Sequence, residues 1–201
     1  MATTIALKSA NIANAPSKLG SPPDFGTLYS GRALDFDGVA DYIDTGQSFS
    51  GVITESHTMS AWIKPDDGQA SDAQAFLGTV DEWTGYNYFR VDSDGKLRYA
   101  IGTATAKELE LVSPVFFANG AADWTHVVAT FSKSSATAGT ITIYANGVSL
   151  GSSSSPDASW NTDNYVNEFT FYIGARNNED TALQFYAGKM ANVQVWNSAL
   201  S

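Results

Sequence analysis

The side chains best suited to bind a ligand lie in a predicted β-hairpin near the middle of the chain. Alternation with period two places Tyr88 and Arg90 on one face, and Arg98 joins them from the second strand after a turn ending at Gly95. With Trp83 nearby, this face offers aromatic rings that stack on the C–H faces of sugars and planar groups that hold hydroxyls. Sugar binding is one hypothesis; ordinary cross-strand pairing, which stabilises a hairpin by itself, is the other.

A second candidate is the polar segment from Arg176 to Asp180, with the sequence Arg-Asn-Asn-Glu-Asp. We expect a short loop at the rim of the domain, where recognition residues are often found. Arg176, Asn178 and Asp180 are its predicted ligand contacts. A solvated connection without a ligand is the alternative.

Three carboxylates, Asp35, Asp37 and Asp41, form an acidic cluster. Hard cations take carboxylate and carbonyl oxygens, so calcium is the cofactor we expect here, held by Asp37 and Asp41. No glutamate stands at the twelfth position, as an EF-hand would require. Aspartates that hydrogen-bond their own backbone in an Asp37-Gly38 turn explain the same residues equally well.

The usual catalytic patterns are missing from the sequence. His57 and His126 are the two histidines, and neither belongs to a His-Glu-x-x-His zinc motif. The sequence also lacks the Gly-x-Ser-x-Gly motif of a serine nucleophile that a histidine could activate. His126 lies within a β-type run, where we expect a structural role. We therefore predict no catalytic residues and no enzyme activity.

Composition and charge exclude several partners. The 201-residue chain has no cysteine, 21 acidic and 11 basic residues, and a formal net charge of −10. Phosphate backbones and anionic lipids would repel such a chain, so we expect neither nucleic-acid nor membrane partners. No signal peptide is visible in the first residues.

The elements that must position these groups are short β-strands. Proline and glycine are frequent in residues 1–31, which predicts an irregular N-terminal leader, and β-type runs fill residues 32–201. Asn146-Gly147 predicts a tight hairpin turn, and the serine-rich residues 151–156 predict a flexible loop. The runs indicate an all-β, two-sheet antiparallel sandwich. The aromatic residues expected to pack in its interior are Trp62, Phe131, Phe171 and Trp196.

Five segments in register resemble laminin-G-like domains of the concanavalin A-like superfamily of lectins and glucanases. They are residues 33–43, Met59–Pro65, Trp124–Phe131, Ile143–Gly147, and the pair Ile173–Arg176 with Gly188–Trp196. The resemblance implies a two-sheet antiparallel jelly-roll sandwich with variable loops on one rim.

Two departures from the family pattern bear on function. Relatives place acidic residues where this chain has Ala191 and Asn192, which removes an expected carboxylate ligand for calcium. Glycoside hydrolases of this fold carry a Glu-x-Asp-x-Glu strand, whose nearest counterpart here, residues 107–110, lacks the middle aspartate. We read Glu108 and Glu110 as a solvated strand face.

The N-terminal segment Thr4–Ser9, followed by Ala15-Pro16 and Leu19, is similar to the opening of many phage virion proteins. This resemblance implies a location on a virion surface, or an extracellular one, with residues 1–31 anchoring the chain to capsid or fibre proteins. The function we predict is a non-catalytic adhesion module that binds a surface glycan, as a monomer or an oligomer. The alternatives are a purely structural capsid decoration protein and, ranked last, a glucanase-type hydrolase.

Overall fold

The computed structural model describes residues 33–81, 85–103, 107–155, 160–165 and 168–200. Nearly all regular structure in these ranges is extended. The strands are β1 (Leu34–Asp37), β2 (Ile43–Asp44), β3 (His57–Pro65), β4 (Gln74–Asp81), β5 (Gly85–Val91), β6 (Lys96–Thr103), β7 (Lys107–Val115), β8 (Thr125–Ser135), β9 (Ala138–Ala145), β10 (Val148–Ser154), β11 (Tyr172–Ile173), β12 (Arg176–Asn178), β13 (Thr181–Leu183) and β14 (Ala187–Trp196). A one-turn helix α1 (Ser50–Ile53) and a 3₁₀ turn (Thr162–Asn164) complete the elements.

The strands form two sheets packed face to face. The six-stranded sheet has the order β1-β14-β3-β8-β9-β10, and the eight-stranded sheet runs β13-β12-β4-β5-β6-β7, with β11 and β2 attached to β4. Every pairing is antiparallel except that of β12 with β4. The predicted concanavalin A-like sandwich is confirmed. No described helix is long and apolar enough to cross a membrane.

Alternation along each strand separates the core from the outer faces. In β6, Leu97, Tyr99 and Ile101 are fully buried between the sheets, whereas Arg98 lies on the outer face with half-exposed character. Phe131 and Phe171 are also fully buried, as predicted. Period two therefore assigns each side chain to the core or to the surface.

Two aromatic residues expected in the interior lie elsewhere. Trp62 and Trp196 are half-buried on the outer face of the six-stranded sheet. Trp62 alternates with Ala61 and Ile63, which fill the core, and Trp196 follows Val195, which packs against the core. Trp62 stacks on His126 with ring centroids 5.1 Å apart. His126 has the structural role expected of it, and burial lowers its pKa.

The β9–β10 hairpin tests two predictions. Asn146 and Gly147 adopt φ angles of 50° and 78° between β9 and β10, which confirms the tight turn. The serine-rich segment, however, is not a flexible loop, since Gly151–Ser154 belong to β10 and pair with β9. Serine side chains are tolerated there because β10 is an edge strand.

Candidate functional site

The outer face of the eight-stranded sheet collects most of the residues predicted to contact a ligand. The β5–β6 register places Arg90 opposite Arg98 and Tyr88 opposite Ala100. Arg176 and Asn178 join them from β12, where Asn178 is paired with Val80 of β4. Residues predicted as two separate sites thus form one surface. We call it the arginine face and define it by Tyr86, Tyr88, Arg90, Arg98, Glu108, Glu110, Arg176 and Asn178.

Two tyrosine rings lie flat at the centre of the arginine face. Tyr86 and Tyr88 stack with centroids 5.7 Å apart and planes 21° from parallel. Glycines give them room: a Cβ on Gly102 would overlap the Tyr86 ring, and one on Gly78 would lie 2.7 Å from Cβ of Tyr88. The Tyr86 ring therefore rests on the backbone at Gly102, whereas Gly78 approaches the Cβ of Tyr88 and not its ring.

Tyr88 does not offer the open stacking surface expected of it. Its side chain is only 8% exposed, because the Arg90 guanidinium covers the ring with Cζ 4.7 Å from the centroid. Burial raises the pKa of its phenol. The half-buried Tyr86, whose phenol donates to Glu108, is the better placed aromatic ring.

A single carboxylate holds two of the guanidinium groups. Asp92 Oδ1 accepts from Nε of Arg90 at 2.8 Å, and Oδ2 accepts from Nε of Arg98 at 2.6 Å. Arg90 Nη1 donates to Gln184 at 3.1 Å, and Arg98 Nη1 donates to Glu110. Among the residues that the structure describes, none accepts from Nη2 of either arginine. Both groups are thus fixed in orientation, and the side chain of Arg98, which is 28% exposed, is more open to a ligand than that of Arg90, which is 14% exposed.

The carboxylates of β7 share this face. Glu108 and Glu110 stand opposite Gly102 and Ala100, two residues apart on the same side of the strand. Glu108 is exposed and accepts from Tyr86, while Glu110 is half-buried and accepts from Arg98. Each is more than a solvated strand residue, since it orients a neighbour on the arginine face.

The segment Arg176–Asp180 is not a plain rim loop. Its first three residues form β12, and the chain then reverses at Glu179 and Asp180, whose φ angles are 52° and 63°. The Asp180 amide donates to Asn177 Oδ1 at 2.8 Å, which closes this turn. A polar segment can pair as a strand because β4 offers it an edge.

Arg176, Asn178 and Asp180 consequently have different surroundings. Arg176 lies close enough to Tyr88 for its charge to favour the Tyr88 phenolate. Oδ1 of Asn178 is buried, and no described residue donates to it. Asp180 lies beside Tyr172 rather than beside Tyr88. Trp83 falls outside the described residues, so its predicted role stays a prediction.

The acidic cluster has the geometry of a turn. Asp37 Oδ1 accepts from the backbone amides of Val39, Ala40 and Asp41 at 2.8, 2.9 and 3.1 Å, and these bonds lower its pKa. Asp41 accepts from the Asp37 amide, and Asp35 pairs with Lys189. Amide donors point at the oxygens that calcium would need, so the turn accounts for these residues better than an ion does.

Metal-ligating side chains are otherwise scattered. Within the described ranges, no three histidine, aspartate or glutamate side chains are grouped closely enough to hold a metal ion. The calcium assignment to Asp37 and Asp41 stays a prediction.

Sequence reasoning missed several residues of the face. Asp92 belongs to the turn that ends at Gly95, and nothing in the sequence indicates that its carboxylate joins Arg90 of β5 to Arg98 of β6. Gln184 is distant in sequence and reaches Arg90 only through the fold. Tyr86 had a signal, because it shares the alternation of Tyr88 and Arg90.

The sequence profile of the concanavalin A-like lectin/glucanases superfamily matches residues 37–201. No curated protein sequence matches the chain. Among solved structures, the CBM40 domain of the Ruminococcus gnavus IT-sialidase superposes with a TM-score of 0.64 at 13% identity, covering 84% of this chain and 91% of that one. The same domain bound to alpha2,3 sialyllactose gives a TM-score of 0.63 at 12% identity, with 84% and 91% coverage.

Larger enzymes also contain a similar domain. The NanB sialidase of Streptococcus pneumoniae, in its K499G mutant, gives a TM-score of 0.65 at 20% identity. The match covers 85% of this chain but only 26% of that enzyme. At sequence identities of 12–20%, the structural similarity to these proteins shows a shared fold.

Proposed function

This chain belongs to the concanavalin A-like lectin/glucanases superfamily, and we propose that it is a non-catalytic module that binds a glycan on the arginine face. The observation that carries the proposal is the pair of guanidinium groups fixed by Asp92 beside two flat tyrosine rings. Orienting arginines in advance lowers the entropy cost of binding. The half-buried Tyr86 ring, which lies over Gly102, is the stacking surface that we propose for a sugar.

The ligand class we propose is a glycan with a carboxylated sugar. Guanidinium groups bind carboxylates through paired, charge-assisted hydrogen bonds. The net charge of −10 repels anions from the chain as a whole. The arginine face is balanced in charge, because Asp92, Glu108 and Glu110 lie beside its three arginines, so we propose that the oriented guanidinium donors, and not an excess of positive charge, select the carboxylate. The alpha2,3 and alpha2,6 sialyllactose complexes of the Ruminococcus gnavus domain support this choice, because both ligands are acidic glycans.

We propose binding rather than hydrolysis because Glu108 and Glu110 already have partners. A glycosidase of two carboxylates needs one of them to act as an acid and the other as a nucleophile or base. Glu110 accepts from an arginine and Glu108 from a tyrosine, which ties both to orienting neighbours.

The phage particle that we propose as the setting is supported by the N-terminal sequence resemblance alone. The segment concerned, residues 1–31, lies outside the described residues. A glycan-binding module anchored by such a segment would act in adhesion. If the chain binds no glycan, the remaining alternative is a structural capsid decoration protein.

The test is a glycan array followed by titration of α2,3-sialyllactose, with lactose as the uncharged comparison. We expect Arg98→Ala to weaken sialyllactose binding about tenfold or more, since it removes a charge-assisted contact. Lys189→Ala is the matched control, because it removes one positive charge from the other sheet and should leave the affinity unchanged. Failure of the wild-type chain to bind any glycan, or equal losses in the two variants, would refute the proposal.

A further inference from the structure

A second group of aromatic rings lies near the arginine face, at the β2 edge of the same sheet. Tyr42 stacks on Tyr172 with centroids 4.5 Å apart and planes 30° from parallel, and Phe185 lies 6.3 Å from Tyr42. Tyr172 is buried beneath the stack, whereas Tyr42 is 43% exposed. The part of the Tyr42 ring that does not pack on Tyr172 is thus open to solvent and is free to stack on a ligand.

Strand register connects this stack to the arginine face. Tyr172 of β11 is paired with Asp44 of β2 on one side and with Gly78 of β4 on the other. Gly78 is in turn paired with Tyr88 of β5. Asp44, Tyr172, Gly78 and Tyr88 therefore form one transverse row on the outer face. Two strand spacings separate Tyr172 from Tyr88, roughly 10 Å.

The groups around the stack are hydrogen-bond acceptors, whereas Arg90 and Arg98 of the arginine face are donors. Burial raises the pKa of Tyr172, and the neighbouring Tyr42, Asp44 and Asp180 raise it further. Asp180 is exposed, and no described side chain or amide donates to its carboxylate. This end of the row thus offers hydrogen-bond acceptors and negative charge.

We infer that Tyr42, with the carboxylates of Asp44 and Asp180, forms a second sugar subsite, which holds an uncharged residue of the glycan whose carboxylated residue lies on the arginine face. The inference rests on the proposed function and extends it from one sugar to an oligosaccharide. The Tyr42 ring supplies the stacking surface, and the carboxylates accept hydrogen bonds from sugar hydroxyls.

The charge pattern also fixes the direction of the glycan. A carboxylated sugar beside Asp44 and Asp180 would be repelled by two negative charges at short range. The same sugar beside Arg90 and Arg98 finds donors. A chain with an acidic end and a neutral continuation therefore binds in one orientation along the row.

The experiment compares α2,3-sialyllactose with free N-acetylneuraminic acid by calorimetric titration of the full chain. The wild type should bind the trisaccharide more tightly than the monosaccharide. Tyr42→Ala should weaken trisaccharide binding about tenfold while leaving monosaccharide binding unchanged, because the subsite contacts only the neutral sugars. Tyr42→Phe keeps the ring and should retain most of the affinity. Tyr144→Ala, on the outer face of the opposite sheet, is the matched control.

Each outcome separates the two proposals. Equal wild-type affinity for the two ligands, or no loss of trisaccharide binding in Tyr42→Ala, overturns the second subsite and leaves the proposed function standing. An equal loss for both ligands also overturns it, since it shows a structural effect. A wild type that binds neither ligand overturns the proposed function itself. Because Tyr42 is largely at the surface, melting curves should confirm that its variants remain folded.

Discussion

The hydroxyl of Tyr99 lies 2.5 Å from Nε2 of His57, and this hydrogen bond joins the two sheets through the middle of the core. Nδ1 of His57 is 2.8 Å from the carbonyl oxygen of Glu55, which can only accept, so Nδ1 carries the proton. Nε2 then accepts from Tyr99, whose oxygen accepts in turn from the Asn87 amide at 3.1 Å. The network holds the imidazole neutral and in a single tautomer.

This network predicts an acid-dependent loss of stability. Burial lowers the pKa of His57 to about 4, whereas the pKa of a histidine in an unfolded chain is about 6.5. Between these two values the unfolded chain binds a proton that the folded chain does not. The free energy of unfolding should therefore be independent of His57 above about pH 6.5. It should fall on acidification toward pH 4 with a slope approaching about 1.4 kcal/mol per pH unit.

Urea titrations at several pH values measure this slope. The contribution should vanish in His57→Gln and persist largely intact in His126→Gln, since His126 is only half-buried. An NMR titration in which the His57 imidazole protonates near its unfolded value would contradict the prediction.

Gly102→Ala should reduce glycan binding without unfolding the domain. The new Cβ would overlap the far end of the Tyr86 ring, which can swing away but must leave Glu108. We expect affinity for sialyllactose to fall several-fold and stability to fall by about 1 kcal/mol. Gly51→Ala in α1 is the matched control, because no atom lies within 4 Å of its added Cβ. Equal affinities in the two variants would show that Tyr86 is not part of the site.

Asp37→Ala should lower the melting temperature by the same amount in calcium and in chelator. The carboxylate organises its turn through three backbone amides, and that role needs no ion. Differential scanning fluorimetry with millimolar calcium or with EDTA makes the comparison. A bound ion would instead raise the melting temperature of the wild type only, by mass action on the folded state. Such a rise would restore the calcium site.

Deletion of residues 1–24 should leave a folded domain. The family match begins at residue 37 and the first described strand at Leu34, so every described strand lies downstream of the deletion. We expect an unchanged urea midpoint. If those residues anchor the chain to a phage particle, the truncated protein should also fail to co-sediment with particles. A lowered midpoint, or sedimentation as strong as that of the full chain, would contradict the anchoring role.

Much of the fold could be predicted from local pattern. Period-two alternation identified the strands around Met59, Phe89 and Ile143, and Asn146-Gly147 located a hairpin, because these signals depend on neighbours in the chain. β4 and β12 were missed. β12 is polar, and its extended conformation depends on an edge of β4 that lies about 100 residues away in the sequence.

The site could be predicted only in its parts. Tyr88, Arg90 and Arg98 were assigned to one face because they lie on a single hairpin. Arg176 reaches the same face only because β12 pairs with β4, and no residue spacing in the sequence predicts that pairing. The outward position of Trp62 did have a signal, because Trp62 alternates with Met59, Ala61 and Ile63, but its size favoured a place in the core.

Each strand under the arginine face carries two alternating sets of residues, one facing the core between the sheets and one facing outward. In β6, Leu97, Tyr99 and Ile101 are constrained by folding, whereas Arg98, Ala100 and Gly102 are constrained by whatever lies above the sheet. Mutations on the outer positions can therefore redirect recognition while the interior remains intact.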